Sequence, residues 1–281
     1  MSVLAGVTRS VVREASASYA FVERNFNLVR RYWGWELVWL IYSVVNALAI
    51  TYIGAGMEAI TGVAVDTNYL VLYLLVGSLV WGYLDLVFHS ISETISWERW
   101  EGTIEYTFMA PVSRRTHLVG QTLFSLVYGL LFTSVIFVVV ALFFRLSVSG
   151  ANFAGALAIA FAGSISFIGF GIVTAVLPLL FPEKGDQMTH VVEAVLLLVS
   201  GIYYPVDVLP GWMQRIAAAS PATYALRSMR AAILEGADWG RLLPDLGILL
   251  GMGLVAIPLG LYVFSKAEYY AKRSGKLKRS G

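Results

Sequence analysis

Two pairs of ionisable residues lie at helical spacing within apolar stretches of the sequence. Asp85 and His89 are four residues apart and His190 and Glu193 are three apart, so each pair shares one face of a helix. Inside a membrane such residues are functional candidates, because burying them is costly. We expect Asp85 and His89 to form an internal hydrogen-bonded pair. For His190 and Glu193 proton coupling is one possible role, but we expect a packed polar contact at a subunit interface. A metal ion needs more ligands than either pair offers, and no metal site is predicted.

Other catalytic and cofactor chemistry finds no support in the sequence. The motifs G-x-S-x-G and H-E-x-x-H do not occur, and neither does the phosphate loop G-x-x-x-x-G-K-[ST]. There is no cysteine, so disulfides and thiolate metal sites are absent. We therefore expect no catalytic residue and no cofactor in this chain. Any energy for work must come from a partner or from an ion gradient.

The composition indicates a membrane protein. Of 281 residues, 58% are hydrophobic and 14% are charged, whereas soluble domains carry about 25% charged residues. An ordinary soluble domain and a disordered chain are both excluded. The net charge of +2 is too small to suggest a nucleic-acid partner.

Six apolar stretches, bounded by charges or by Gly, Pro and Asn clusters, predict an all-α polytopic membrane protein with six transmembrane helices. The predicted spans are residues 34–54, 69–89, 118–144, 152–181, 188–204 and 244–264, within a permease domain of residues 34–264. The fifth reaches only about 25 Å, shorter than the roughly 30 Å hydrocarbon core. We expect it to pack inside the protein and not to face lipid.

The distribution of Lys and Arg predicts the orientation. Of the 20 basic residues, three quarters fall at the ends of spans that also carry the two termini. By the positive-inside rule both termini are cytoplasmic, in agreement with an even number of spans. We expect a multi-pass protein of the plasma (inner) membrane.

Both terminal segments are predicted to lie at the cytoplasmic surface. Residues 1–33 contain an amphipathic helix with apolar residues at spacings of three and four, which predicts an interfacial location. Those residues are Tyr19, Val22, Phe26, Val29 and Trp33. This helix is either an anchor for the first span or a moving gate. Residues 265–281 form a basic tail, which we expect to touch anionic lipid.

The cytoplasmic loop between spans two and three combines acids with tryptophans. In residues 92–117, Glu98 and Glu101 lie beside Trp97 and Trp100. Aromatic residues with a charged rim are typical of protein interfaces. An interfacial helix anchored in the membrane by its tryptophans is the other interpretation, and composition does not decide between them.

The outer segment 203–238 predicts two short helices that dip into the outer leaflet as a re-entrant pair. Ser220 before Pro221 indicates an N-cap, and Gly236 indicates a helix end. The residues that define this element are Pro205, Pro210, Gly211, Pro221 and Tyr224. The aromatic residues Tyr203, Tyr204 and Trp212 line a substrate exit or form an aromatic belt; with Glu193 they are the candidate substrate path.

Small residues recur along two spans and favour close helix packing within the chain. They are Ala154, Ala158, Ala162 and Ser166 in the fourth span and Gly247 and Gly251 in the sixth.

Two motifs at these positions resemble the permease subunit of ATP-binding cassette exporters, of the type-2 permease family. The loop is similar to the family's E-x-G-T-x-E stretch followed by P-x-S-R, and the outer segment to its proline–leucine-proline-glycine-tryptophan and P-x-T-Y-A-L elements. The matching residues are Glu101, Gly102, Thr103, Glu105, Pro111, Ser113 and Arg114 in the loop, and Pro205, Leu209 to Trp212, Pro221 and Thr223 to Leu226 outside. Trp97 and Trp100 depart from the pattern, where more charge is expected.

The resemblance implies a coupling helix in the region 92–105 that docks on a separate ATPase subunit. It implies two permease copies, identical or related, above two ATPase copies that bind ATP and Mg, in contact with membrane lipid. The coupling residues would be Trp97, Glu98, Trp100, Glu101, Gly102, Thr103, Glu105 and Arg114. The expected cargo is an amphiphilic drug, a lipid or a lipid-linked molecule.

Two other functions remain as alternatives. One is export of a lipid-linked polysaccharide, which a continuous aromatic column from the first span to Trp212 would favour. The other is an ion-coupled secondary transporter that uses Asp85, His89, His190 and Glu193.

Overall fold

The chain is built from α-helices. A computed structural model describes residues 2–100, 109, 114–181 and 183–274, and the side chains of residues 14–92, 109, 116–117, 119–181 and 183–274. These ranges hold eleven helices, one 3₁₀ turn (Val206–Val208) and no β-strand. The helices are α1 (Ser2–Arg31), α2 (Trp33–Ala55), α3 (Met57–Thr61), α4 (Thr67–Trp100), α5 (Arg114–Phe144), α6 (Phe153–Thr174), α7 (Val176–Leu180), α8 (Gly185–Val199), α9 (Gly211–Ala217), α10 (Pro221–Leu234) and α11 (Trp239–Arg273).

Five segments within the described ranges are long and apolar enough to cross a membrane. They are Trp33–Ala55, Thr67–Ser92, Val119–Phe144, Phe153–Leu180 and Trp239–Arg273. The all-α polytopic class is therefore confirmed. The predicted fifth span corresponds to α8, whose 15 residues extend only about 22 Å, and the count of six spans stays a prediction. One face of α8, with Val191 and Val195, is exposed in the single chain.

The centre of the fold is a core shared by α4, α6, α10 and α11. Leu84, Phe167, Leu226 and Leu249 are buried together in it. The contact between α6 and α11 is close: a Cβ on Gly169 would lie 2.4 Å from the Cβ of Ala256. Such close approach between apolar helices depends on small residues.

The predicted small-residue stripes account for only part of this packing. Ser166 is buried, and its hydroxyl donates to the carbonyl of Leu249 at 2.5 Å. Gly247 and Gly251, in contrast, face open space. Their predicted role in helix packing within the chain is wrong, because they lie on the opposite side of α11 from Gly253, which meets α6.

We call the end of the bundle that the Lys and Arg distribution predicts to be cytoplasmic its inner end, and the opposite end its outer end. The last turns of α11 pack at the inner end. Ile91, Leu179 and Ala271 are buried in one cluster that joins α4, α7 and α11. Since α11 continues to Arg273, the predicted tail begins as an ordered helix. Beside this cluster α1 docks on the start of α5, where Ser18 Oγ donates to the carbonyl of Thr116 at 3.2 Å.

The α1 helix confirms the predicted helical N-terminal segment. It meets α5 through a partly polar face, since Asn25 Nδ2 donates to Gln121 Oε1 at 2.7 Å. Tyr19, Phe26 and Trp33, from the predicted apolar face, are all more than 60% exposed, at 66%, 62% and 68%. The apolar face is thus left unburied, as an interfacial helix requires.

Candidate functional site

The predicted coupling residues fall at the inner end of α4 and beyond it. Trp97, Glu98 and Trp100 belong to the last turns of α4, which continues without a break past the predicted end of the second span at residue 89. Arg114 is the first residue of α5. Glu101, Gly102, Thr103 and Glu105 lie outside the described residues. The docking role of this region stays a prediction.

An inner cavity of about 360 Å³ opens between α2, α4 and α5. Its wall carries two carboxylates, Glu36 and Asp85, together with Ser43 and Asn46. The Tyr128 hydroxyl donates a hydrogen bond to Glu36 Oε2. Polar groups on membrane-length apolar helices are unusual, since each must be satisfied by the protein, by water or by a ligand.

An outer cavity of about 550 Å³ lies between α2, the start of α4 and the turn after α8. Tyr69 and Tyr73 of α4 face Tyr203 and Tyr204 across it. The turn that supplies the last two residues contains Gly201 at φ 74°, a backbone conformation that favours glycine. Two of the four predicted substrate-path residues thus line a cavity.

The other two predicted substrate-path residues lie elsewhere. Trp212 is 63% exposed on α9 and lines neither cavity. Glu193 lies on α8 beside two histidines. The two cavities follow the same pair of helices, α2 and α4, and the substrate path stays a prediction.

The outer segment contains the two predicted short helices. Pro205 precedes the 3₁₀ turn, Pro210 precedes α9, and Pro221 is the first residue of α10. Gly211 begins α9, and the Tyr224 hydroxyl donates to the carbonyl of Ala218 at 2.8 Å, which joins the two helices. At 7 and 14 residues these helices are too short to span a membrane, as a re-entrant pair must be.

The Ser220 side chain does not cap α10. It precedes Pro221 as predicted, but its hydroxyl makes no capping hydrogen bond to the helix. It lies instead 2.7 Å from the hydroxyl of Ser200, at the end of α8. The prediction that Ser220 is the N-cap residue of α10 is confirmed, although its hydroxyl bonds to Ser200 and not to the helix.

The fold joins the two ionisable pairs into one cluster. His89 Nδ1 is 3.0 Å from Asp85 Oδ1, and His190 Nδ1 is 3.0 Å from Glu193 Oε2. His89 Nε2 lies 3.5 Å from the same Glu193 oxygen. The sequence places two potential metal ligands, His190 and Glu193, near each other. The contact between α4 and α8 adds His89 as a third.

Sequence reasoning missed a buried carboxylate on α11. Asp245 is only 6% exposed and accepts hydrogen bonds from Arg227 Nε at 3.0 Å and from the Ser228 hydroxyl. The hydrogen bond to Asp245 raises the pKa of the Arg227 guanidinium, so the arginine stays charged. The sequence does contain a signal for this site, since Asp245 is an ionisable residue within the predicted span 244–264.

The helices define a polytopic membrane protein. The sequence profile of the ABC-2 type transporter family matches residues 17–234, and the chain belongs to this family. The resemblance drawn from the two motifs is confirmed at this level.

Two relatives share part of the sequence. Over 107 residues the chain is 32% identical to the uncharacterized protein YhgE of Bacillus subtilis, covering 35% of this chain and 14% of YhgE. Over 97 residues it is 29% identical to the linearmycin resistance permease protein LnrN of the same species, covering 34% of this chain and 25% of LnrN. The chain thus spans a quarter or less of each relative's length.

Proposed function

We propose that this chain is the membrane subunit of an exporter that moves an amphiphilic drug, lipid or lipid-linked molecule out of the cytoplasm or the inner leaflet. The observation that carries the proposal is the pair of cavities along α2 and α4. The inner cavity presents carboxylate, amide and hydroxyl groups, and the outer one presents tyrosine rings and aliphatic side chains. An amphiphile needs both kinds of surface on its way across a bilayer.

The direction of transport is supported by a relative. LnrN is a resistance permease by its name, and resistance by a permease is most simply achieved by removing a toxic compound from the cell. Outward movement is the direction that we propose for this chain.

The proposed assembly contains two copies of this chain, or one with a related permease, and two ATPase subunits that bind ATP and Mg. Residues 97–105 and Arg114 are proposed as the docking region. The start of α5 and the end of α4 lie at the same end of the bundle as the ends of α1 and α11. All of them therefore share one side of the membrane, and the Lys and Arg distribution favours the cytoplasmic side.

Coupling in this assembly requires that ATP binding favour one arrangement of the two permease copies over another. A ligand shifts such an equilibrium only through differential affinity for the two states. Because α4 runs unbroken from the outer cavity through the wall of the inner one to Trp100, a displacement at its inner end moves residues in both walls.

The polysaccharide alternative receives less support. Ring contacts among the described residues connect Trp35 to Trp39 and Trp39 to Tyr42, at 6.3 and 5.8 Å. The next residue of α2 with a ring contact, Tyr52, pairs with Phe143 and Phe144 of α5 instead. The aromatic column that this cargo would favour therefore does not extend to Trp212. The ion-coupled alternative conflicts with membership of an ATP-driven family.

Charge reversal in the loop tests the docking region. We expect the double variant Glu101→Lys, Glu105→Lys to lose its ATPase partner on affinity purification from membranes, because two attractive or hydrogen-bonding groups become repulsive. Cells that carry this variant and the ATPase should also lose the resistance that the wild-type chain and the ATPase together give against a panel of amphiphilic toxins.

The matched control is Glu23→Lys with Glu183→Lys, two exposed acids at the inner end but outside the loop. This control should retain the ATPase. Retention of the ATPase and of wild-type resistance by the loop variant would show that the docking site lies elsewhere.

A further inference from the structure

Five ionisable side chains from two helices converge near the inner end of the bundle. Asp85 and His89 come from α4, and Asp186, His190 and Glu193 come from α8. The helices are joined beside them by the hydroxyls of Ser92 and Thr189, which lie 3.3 Å apart. The two imidazole rings lie with their centroids 5.0 Å apart.

Three potential ligand atoms point at one another within this cluster. His89 Nε2 and His190 Nδ1 lie 3.5 and 3.0 Å from Glu193 Oε2. One donor atom from each of the three residues can be chosen so that all lie within 4.8 Å of one another. A tetrahedral metal ion with bonds of 2.0–2.2 Å holds its ligand atoms about 3.3 Å apart, so little movement would complete the geometry.

In each imidazole, the nitrogen farther from Glu193 lies near a second carboxylate. His89 Nδ1 is 3.0 Å from Asp85 Oδ1, and His190 Nε2 is 4.0 Å from Asp186 Oδ2. A carboxylate on the far nitrogen of a histidine is the usual second shell of a metal site, where it fixes the tautomer and makes the ligating nitrogen more basic. In the tautomer that donates Nδ1–H to Asp85, His89 Nε2 carries a lone pair on the side of the Glu193 carboxylate. In that tautomer both groups can ligate one cation.

We propose that His89, His190 and Glu193 bind a divalent transition-metal ion of the Zn²⁺ type, with Asp85 and Asp186 as second-shell partners and water in the fourth position. Two imidazoles and one carboxylate are a ligand set that suits Zn²⁺. The His190 and Asp186 side chains are 59% and 55% exposed, which gives the ion an entry path. A bound ion would link α4 to α8 directly below the inner cavity, whose wall includes Asp85. The site is independent of the cargo and of the direction of transport.

The test uses the full chain, purified in detergent through a tag that contains no histidine and freed of metal with EDTA. Co²⁺ serves as the probe, because tetrahedral Co²⁺ absorbs strongly in the visible range. We expect one Co²⁺ per chain, displaced by Zn²⁺. His190→Ala and Glu193→Gln should weaken binding strongly, and Asp85→Asn should weaken it about 10- to 100-fold.

Glu183→Gln is the matched control, since Glu183 is an exposed acid two residues before α8; it should bind Co²⁺ as the wild type does. Gel filtration confirms that each variant is folded. His190 is largely exposed, so its substitution leaves the core intact. Binding of less than half an equivalent by the wild type would overturn the proposal. So would a weak octahedral spectrum, or equal affinity in wild type and His190→Ala.

Discussion

The guanidinium of Arg230 on α10 lies over the ring of Tyr73 on α4, with its Cζ 3.5 Å from the ring centroid. The same side chain donates hydrogen bonds to the carbonyls of Gly201 and Ile202, at 2.9 and 2.5 Å. Arg230 thus ties α4, α10 and the turn after α8 together. This turn carries Tyr203, so the arginine also holds one wall of the outer cavity.

Replacing Arg230 by Met should destabilise the protein markedly. The substitution keeps an unbranched apolar stem but removes a cation–π contact worth about 2 kcal/mol when desolvated and hydrogen bonds worth about 1.5–3 kcal/mol each. Since these contributions are not additive, we expect a loss on the order of 3 kcal/mol and a fall in Tm of at least about 5 °C in detergent. Arg215→Met, at an exposed arginine of the same outer segment, is the control and should leave Tm unchanged. Equal Tm values for the two variants would contradict the assigned role.

Because the Asp245 carboxylate is buried, we expect a substitution of Asp245 to restore stability that is lost when its partner Arg227 is removed. Arg227→Ala removes one of the two described side-chain partners of Asp245. The free energy of unfolding should fall by about 1–3 kcal/mol, the penalty for an under-satisfied buried polar group. Adding Asp245→Asn removes the buried charge and should restore part of the lost stability. Thermal unfolding of both single variants and the double variant measures this coupling. Strict additivity of the two effects would show that the pair does not interact energetically.

The docking of α1 on α5 can be tested by cross-linking, because the sequence contains no cysteine. Asn25→Cys with Gln121→Cys places two thiols at neighbouring positions, because the side chains that they replace share a hydrogen bond of 2.7 Å. A short bifunctional thiol reagent should bridge the two cysteines in most molecules and protect both thiols from a maleimide mass tag. Asn27→Cys with Gln121→Cys is the control, since Asn27 is exposed on another face of α1. Equal protection in both pairs would indicate that α1 does not hold this register.

The inner cavity can be filled without disturbing the core. Gly82 lines it and has nothing within 4 Å of the position that a Cβ would take. Gly82→Phe should therefore leave Tm unchanged or slightly raised, since glycine weakens a helix interior, and should abolish the resistance that the assembled transporter gives to cells. Gly251→Phe, at an equally open position on α11 that lines neither cavity, should retain resistance. Full resistance in the Gly82 variant would remove the inner cavity from the transport path.

Local features of the sequence predicted much of this fold. Hydropathy located the five membrane-length helices because insertion depends on composition over about 20 residues. Proline and glycine located α9 and α10 because their backbone limits act within a turn. The second span was predicted to end at residue 89, since charged residues follow, and the helix α4 continues past that point to Trp100. Charged residues end an apolar span but are good helix formers.

Contacts between distant residues could not be predicted from one sequence. His89 and Glu193 are about one hundred positions apart, and only the packing of α8 on α4 brings them within 3.5 Å. The same applies to Tyr73 and Arg230, and to the two tyrosines of α4 that face Tyr203. Helical spacing identifies residues that share one face of a helix, but it does not say which helix covers that face.

Native mass spectrometry of the tagged chain, isolated from its own membranes, tests most directly whether this chain works as the membrane half of an ATP-driven exporter. We expect a complex of two 30.8 kDa chains, identical or one of them a related permease, with two copies of a nucleotide-binding subunit. A chain that leaves the membrane alone, or only with copies of itself, would contradict this function.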